Sequence, residues 1–159
     1  IRRRCPLSIF DERIAALRRV GIHVVLHMII GLPGETREMI LETASYIARS
    51  GADGVKFHLL YVLKGTDLAV DYLAGRFQTL ELDAYIDLLE ACIRIIPKGM
   101  TVHRLTGDGP KATLLAPLWS ADKKHVLNEI HRRFRRDCVQ QGSDSNPHIG
   151  KLIQGIDGT

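Results

Sequence analysis

Hydrophobic and polar residues follow two alternating periods along this chain, one typical of strands and the other of helices. The sharpest change lies in residues 22–36, IHVVLHMIIGLPGET, where a β-branched and apolar run stops at Gly31-Leu32-Pro33-Gly34. A helical pattern, REMILETASYIAR, follows at once. The segment therefore predicts a buried strand, a tight glycine turn and a helix, which together form one βα unit.

The same two periods predict further helices and two further strands. The helices are expected over residues 8–20, 67–74, 80–96 and 121–140, and the strands over 55–60 and 100–105. Ser120 is expected to cap the last helix, and residues 114–119, LLAPLW, to form an apolar connector. The alternation of helices and strands favours an α/β fold with a parallel sheet and right-handed crossovers. Because three parallel strands leave unpaired edges, we expect the sheet to be part of a larger barrel or open α/β sheet.

Polar side chains fall on one face of this predicted sheet, because side chains alternate along a strand. The residues expected there are His27, Ile29, Lys56, His58 and Leu60, with either His103 or Arg104 from the third strand. If the apolar face packs on helices, these polar groups point into a barrel interior, where they need partners or a ligand. A single histidine there is typical of a satisfied core residue. Three adjacent strands carrying polar residues indicate a ligand site about as strongly as a polar core.

Two interpretations of the glycine turn stay open. It is typical of a plain βα connection, in which glycine permits a tight backbone and Pro33 adds rigidity. It is also typical of a backbone that closely approaches a ligand beside a helix N-terminus. The turn lacks the P-loop and GxGxxG patterns, so it predicts neither of those nucleotide sites.

The amino-acid composition limits the classes of protein to which this chain can belong. A hydrophobic content of 45% with 25% charged residues is ordinary for a globular protein, and the longest apolar stretches have only the length of strands. We therefore expect no membrane span. The three cysteines, Cys5, Cys92 and Cys138, are scattered and match no zinc or iron–sulfur spacing, which predicts a reducing, cytoplasmic location and no metal site within the chain.

The net charge of +4 is concentrated in residues 131–136, HRRFRR. A solvated helix face is favoured about two to one over an RNA contact for this basic run. The chain begins with Ile1 and an arginine run, and we expect it to be a fragment of a longer protein.

Four segments of the chain together resemble the radical S-adenosylmethionine (radical SAM) superfamily. They are HMIIGLPGET, GVKFHLLYVLKGT, VHRLTGDGP and LLAPLW, which follow one another in this order. The likeness is to the YhcC-like branch, which is related to the elongator catalytic subunit. It implies an α/β fold that is the C-terminal part of a (β/α)6 partial TIM-like barrel over residues 1–100. A C-terminal helical extension over 101–141 and a flexible tail over 142–159 would follow.

Such enzymes hold a 4Fe-4S cluster on three cysteines, bind SAM to it and cleave SAM reductively to a 5′-deoxyadenosyl radical. The CxxxCxxC cluster motif is absent here, and Cys5, Cys92 and Cys138 do not replace it. The resemblance thus implies a C-terminal fragment that is inactive alone and whose parent is a cytoplasmic radical SAM enzyme. The missing N-terminal half of the barrel would carry the cluster. The substrate is unknown, and the elongator relationship makes tRNA a candidate.

The resemblance also implies positions for the site. Residues 27–31 resemble the fifth-strand motif whose isoleucine and glycine pack beside the SAM adenine, and residues 56–60 resemble the sixth strand. The implied cofactor-binding residues are His27, Ile29, Gly31, Leu32, Pro33, His58 and Leu60. The candidates to face the substrate are His58, His103 and Arg104.

Two other functions compete with this interpretation. A metal-dependent hydrolase barrel would use His27, His58 and His103 as ligands at strand ends, although no carboxylate accompanies them on the strands. A non-catalytic RNA-binding module would use the basic run of the last helix.

Overall fold

The computed structural model describes residues 6–144, and the expectations for Cys5 and for most of the tail lie outside the described residues. The described chain contains α1 (Leu7–Arg19), β1 (Val25–Ile30), α2 (Arg37–Arg49), β2 (Gly54–Leu59), β3 (Val62–Leu63), α3 (Asp67–Leu73), α4 (Leu82–Ile95), β4 (Thr101–Arg104), β5 (Leu114–Ala116), a 3-10 helix (Leu118–Ala121) and α5 (Lys123–Arg136). No helix in this part of the chain is long and apolar enough to cross a membrane.

A three-stranded parallel sheet with the order β1-β2-β4 forms the centre of the fold, as the alternation predicts. The expected strand over residues 22–30 is shorter in the structure and begins at Val25, because its pairing with β2 begins there, opposite Gly54. The register between β2 and β4 shifts after Val55, so that Lys56 lies opposite Arg104. β4 thus belongs to the same sheet as β1 and β2. The boundary between the barrel part and the C-terminal extension at residue 100 stays a prediction.

One face of this sheet packs under helices. Met28 of β1 and Phe57 of β2 are almost completely buried, and α2 and α4 cover them with apolar side chains. The helix residues in this core include Ile40, Ala44, Ile47, Tyr85, Ile86, Leu89 and Ile93. Because each large apolar side chain removed from water contributes about 1.5–3 kcal/mol, this layer supplies most of the burial that stabilises the fold.

A second, antiparallel ladder joins β3 to β5, and the sequence patterns missed it. Val62 lies opposite Ala116, and Lys64 N donates a hydrogen bond to Thr113 O at 2.8 Å. The expected connector over residues 114–119 is therefore a strand followed by a 3-10 helix. A ladder only two and three residues long shows no periodicity, so distant pairing alone creates it.

The last helix begins later than expected, and a different residue caps it. Asp122, not Ser120, accepts a hydrogen bond from His125 N at 3.0 Å. Ser120 instead lies in the 3-10 helix and donates its hydroxyl hydrogen bond to Pro117 O at 2.7 Å. Because the 3-10 turn uses Ser120 internally, the first free cap position is Asp122.

The basic run of α5 contacts the protein itself. Arg133 is buried, and its guanidinium pairs with Asp87 and with Asp83 at 3.2 Å, both on α4. It also lies 3.7 Å from Glu90, whose pKa is raised by burial and by nearby carboxylates. The solvated-face prediction was thus wrong for Arg133, which attaches α5 to α4.

Candidate functional site

The face of the parallel sheet opposite the helices is open in the described structure. Ile29 on this face is 39% exposed, whereas Ile30, its neighbour on the helix side, has no exposed surface. His27 is exposed and His58 is half-buried, and their rings stack with centroids 5.1 Å apart and planes 17° from parallel. The alternation along β1 and β2 therefore places the histidines together, as the sequence predicts.

His58 holds an unsatisfied polar atom in this open face. Its Nε2 is buried and has no hydrogen-bond partner among residues 6–144. Burial lowers the pKa of His58, and the nearby His27, Arg104 and Lys56 lower it further. The imidazole is therefore neutral near pH 7, and Nε2 is free to donate or accept one hydrogen bond from a ligand.

The glycine turn follows directly on β1 and is held by an acidic residue that the sequence patterns missed. Gly31 has a φ of +90°, which residues with a Cβ rarely adopt, and a Cβ there would lie 2.8 Å from Leu80 Cδ1, so any other residue would be strained. Glu35 accepts a hydrogen bond from Leu32 N at 3.3 Å through its carboxylate. Burial raises the pKa of Glu35, and the Leu32 and Gly31 amides oppose that rise. An acidic residue beside the helix cap Thr36 was the available signal.

A groove of about 760 Å³ opens at the carboxyl ends of β1 and β2. Its walls are formed by the stacked rings of His27 and His58, by apolar side chains and by the carboxylate of Glu35. The lining residues include His27, Ile29, Leu32, Glu35, His58, Leu60 and Tyr61. This size and this mixture of apolar walls with few polar groups are typical of a small-molecule site.

Tyr61 closes one side of the groove and is the second residue that the sequence patterns missed. A Cβ at Gly107 would lie 2.5 Å from Tyr61 Oη, and one at Gly109 would lie 3.1 Å from the Tyr61 ring. The two glycines thus let the loop over residues 106–111 pack onto the ring. Burial against this loop, beside Thr106, raises the pKa of Tyr61. An aromatic residue directly after a strand end was the sequence signal.

The structure separates the two candidates on β4. Arg104 lies opposite Lys56 and acts on the pKa of His58, which places it beside the site. His103 points elsewhere, because a Cβ at Gly54 would lie 2.6 Å from His103 Nε2 and Gly54 begins β2 at the far end of the sheet. Pro33 is exposed in the turn and is not among the residues that line the groove.

No three histidine, cysteine or acidic side chains gather into a metal site within residues 6–144. Cys92 is buried in α4, where burial raises the pKa of its thiol to about 12, and Cys138 is exposed after α5. The displaced His103 also removes one ligand of the competing three-histidine site. The hydrolase interpretation therefore has no support in this part of the chain.

Similarity to known proteins shows the family to which the chain belongs. Residues 52–136, more than half of the chain, match the Radical_SAM C-terminal domain. The chain belongs to the radical SAM family. It is 39% identical over 142 residues to the uncharacterised protein YtqA of Bacillus subtilis, a match that covers 89% of this chain and 44% of that protein. It is 33% identical over 132 residues to the protein YhcC of Escherichia coli K12, covering 83% of this chain and 43% of that protein.

A solved structure confirms the expected α/β fold class. The archaeal Methanocaldococcus infernus Elp3 with an N-terminal deletion matches with a TM-score of 0.76 at 20% identity, covering 88% of this chain and 33% of that chain. The expected likeness to YhcC and to the elongator protein is thus also confirmed. The chain spans less than half the length of these relatives.

Radical SAM enzymes use SAM and a 4Fe-4S cluster, and the described residues fit these two groups differently. The apolar walls from Ile29 and Leu60 suit the faces of an adenine ring, and the unpartnered His58 Nε2 suits its polar edge. The described cysteines do not fit the cluster, because Cys92 is buried in the core and Cys138 lies beyond α5. Within residues 6–144 the groove lining thus fits an adenine ring, and neither described cysteine fits a cluster ligand.

Proposed function

We propose that this chain supplies the adenine side of the SAM site and part of the substrate wall in a cytoplasmic radical SAM enzyme. In that family SAM and the 4Fe-4S cluster supply reductive cleavage of SAM to a 5′-deoxyadenosyl radical. The cluster cysteines would come from outside residues 1–159, so the chain alone would be inactive. The single observation that carries the proposal is the groove at the ends of β1 and β2 with the buried, unpartnered Nε2 of His58.

The proposed roles follow from the position of each residue along the groove. Ile29 and Leu60 would contact the faces of the adenine, and His58 would hydrogen-bond its edge. His27 would hold the His58 ring by stacking. The proposed turn residues are Gly31, Leu32 and Pro33, whose tight backbone lets a ligand approach the start of α2.

Arg104 is favoured over His103 as the residue that faces the substrate, because it lies beside Lys56 and acts on His58. The elongator relationship keeps tRNA as a candidate substrate. The basic run of α5 supports an RNA contact less than expected, since Arg133 is neutralised by α4 and Arg136 by Asp137. The RNA-binding module on α5 is therefore the weaker alternative.

The first test concerns the gene. The reading frame upstream of the codon for Ile1 is expected to encode CxxxCxxC within the length of four βα units. An upstream frame without such cysteines would contradict the radical SAM enzyme and leave a binding function.

The second test introduces a charge into the groove of the whole protein, reconstituted anaerobically with iron and sulfide. Ile29→Glu is expected to weaken SAM binding and to reduce 5′-deoxyadenosine formation with dithionite at least tenfold, because a carboxylate would occupy the apolar wall. Val70→Glu is the matched control, since Val70 is a β-branched residue exposed on α3. Equal SAM affinity in the two variants would show that the adenine lies elsewhere.

A further inference from the structure

Two cations lie side by side on the open face, next to the groove. Lys56 of β2 and Arg104 of β4 are register partners, and neighbouring strands lie about 4.8 Å apart. Lys56 is half-buried and Arg104 is exposed. Neither side chain makes an ion pair or a hydrogen bond with any residue in the described range 6–144.

Two carboxylates on this side of the molecule have partners of their own. Asp108 is close enough for Arg104 to lower its pKa, but its carboxylate is bonded to Lys123 at 2.8 Å. Glu35, the acid of the groove, accepts its hydrogen bond from the Leu32 amide. The two cations therefore add close to two positive charges to a face that already holds the unpartnered His58 Nε2.

Two arginines of α5 are paired with acids. Arg133 contacts Asp83, Asp87 and Glu90, and Arg132 pairs with Glu129 one turn away. Lys56 and Arg104 lack such partners among residues 6–144, and they lie opposite each other on neighbouring strands. Placing two like charges opposite each other on neighbouring strands is destabilising. A bound anion would offset this repulsion.

We propose that Lys56 and Arg104 together bind a phosphate group of the substrate, beside the proposed SAM groove. This inference rests on the proposed function, and it names the chemical class of what the same site accepts. Arginine offers a planar fork to phosphate oxygens, and lysine adds a compact point charge. A phosphate monoester carries about −1.5 to −2 charges near pH 7 and so matches two cations, whereas one carboxylate matches a single cation.

The test measures anion binding separately from catalysis. Inorganic phosphate is titrated into the whole protein at about pH 7.5, where it is mostly dianionic, and binding is followed by the NMR signals of the His27 and His58 rings and by calorimetry. The double variant K56Q/R104Q is expected to weaken phosphate binding at least tenfold. The control K124Q/R135Q removes the same number of charges from exposed positions of α5 and is expected to keep the wild-type affinity. The exchanged pair K56R/R104K keeps both charges and is expected to retain binding.

Each other outcome would overturn the inference in a recognisable way. An equal loss of phosphate affinity in K56Q/R104Q and K124Q/R135Q would show that binding depends on the net charge of the protein and not on the Lys56–Arg104 pair. Acetate binding as tight as phosphate would assign the pair to a carboxylate. A loss of SAM affinity in K56Q/R104Q would assign it to the carboxylate of SAM and leave the proposed function standing. Phosphate binding by a wild-type protein that binds no SAM would instead remove the proposed function.

Discussion

The two faces of the parallel sheet are built by alternate residues of the same strands, yet they have opposite properties. On the helix side, Met28 and Phe57 are buried with apolar neighbours from α2 and α4. On the open side, the neighbouring positions hold His27, Lys56 and His58. A one-residue shift in register would exchange the two faces, so the strands carry both patterns at once.

This difference separates the stability of the fold from its chemistry. The helix side holds the fold together by burial, and it uses no polar strand residue to do so. The open side contributes little burial and is free to carry groups without partners, such as His58 Nε2. We therefore expect substitutions on the helix side to change stability, and those on the open side to change binding.

The largest expected effect compares adjacent residues of β2. Phe57→Ala is expected to lower the free energy of unfolding by about 3–5 kcal/mol, because it leaves a cavity under α2 and α4. Lys56→Ala should change it by less than about 0.5 kcal/mol. Urea unfolding followed by circular dichroism measures both values. Comparable losses of stability in the two variants would contradict the expectation that only the helix side of the sheet stabilises the fold.

The next effect compares a paired arginine with an unpaired one. Arg133→Gln is expected to lower the free energy of unfolding by about 2 kcal/mol, because it leaves the buried Glu90 and its neighbours without their cation. Arg104→Gln on the open face should leave the unfolding midpoint unchanged or raise it slightly, because it removes the repulsion from Lys56. The same urea titration tests this, and a destabilised Arg104→Gln would mean that Arg104 has a structural partner.

Sequence reasoning located the parallel sheet and its two faces, because alternation along a strand is a local signal. It placed His27 and His58 on one face and the apolar residues on the other, and the structure confirms both. The glycine turn after β1 was equally local, since a positive φ at Gly31 favours glycine. The family resemblance rested on these same short segments.

Features formed by residues far apart in the chain could not be predicted from local sequence patterns. The ladder of β3 with β5 joins segments more than fifty residues apart, and β3 itself has two residues. Arg133 was predicted to be solvated because its partner Asp87 lies 46 positions earlier in the chain. His103 and Arg104 were indistinguishable, because the register shift after Val55 decides which of them faces the site.

A smaller effect is expected where the two faces meet, at the end of β1. Gly31→Ala should cost about 1–2 kcal/mol, because it combines a left-handed backbone with a clash against Leu80. Gly99→Ala is the matched control, since nothing lies within 4 Å of its added Cβ. Thermal unfolding compares the two. If Gly31→Ala keeps its stability but loses SAM affinity, the turn serves the ligand more than the fold.

The smallest effect is a change in the pH dependence of the free energy of unfolding. It tests whether His58 on the open face contributes to that dependence. Burial lowers the pKa of His58 in the folded state, with His27, Arg104 and Lys56 adding to the shift. The unfolded chain takes up this proton near pH 6.5, and the folded chain resists it, so the free energy of unfolding falls as the pH drops below about 6.5. His58→Gln removes that term and should flatten the decline, whereas His131→Gln, at an exposed position of α5, should keep the wild-type slope. Urea midpoints between about pH 5 and pH 8 measure the slopes. Identical slopes for wild type and His58→Gln would mean that solvent reaches the imidazole freely, and the ligand role of Nε2 would lose its physical basis.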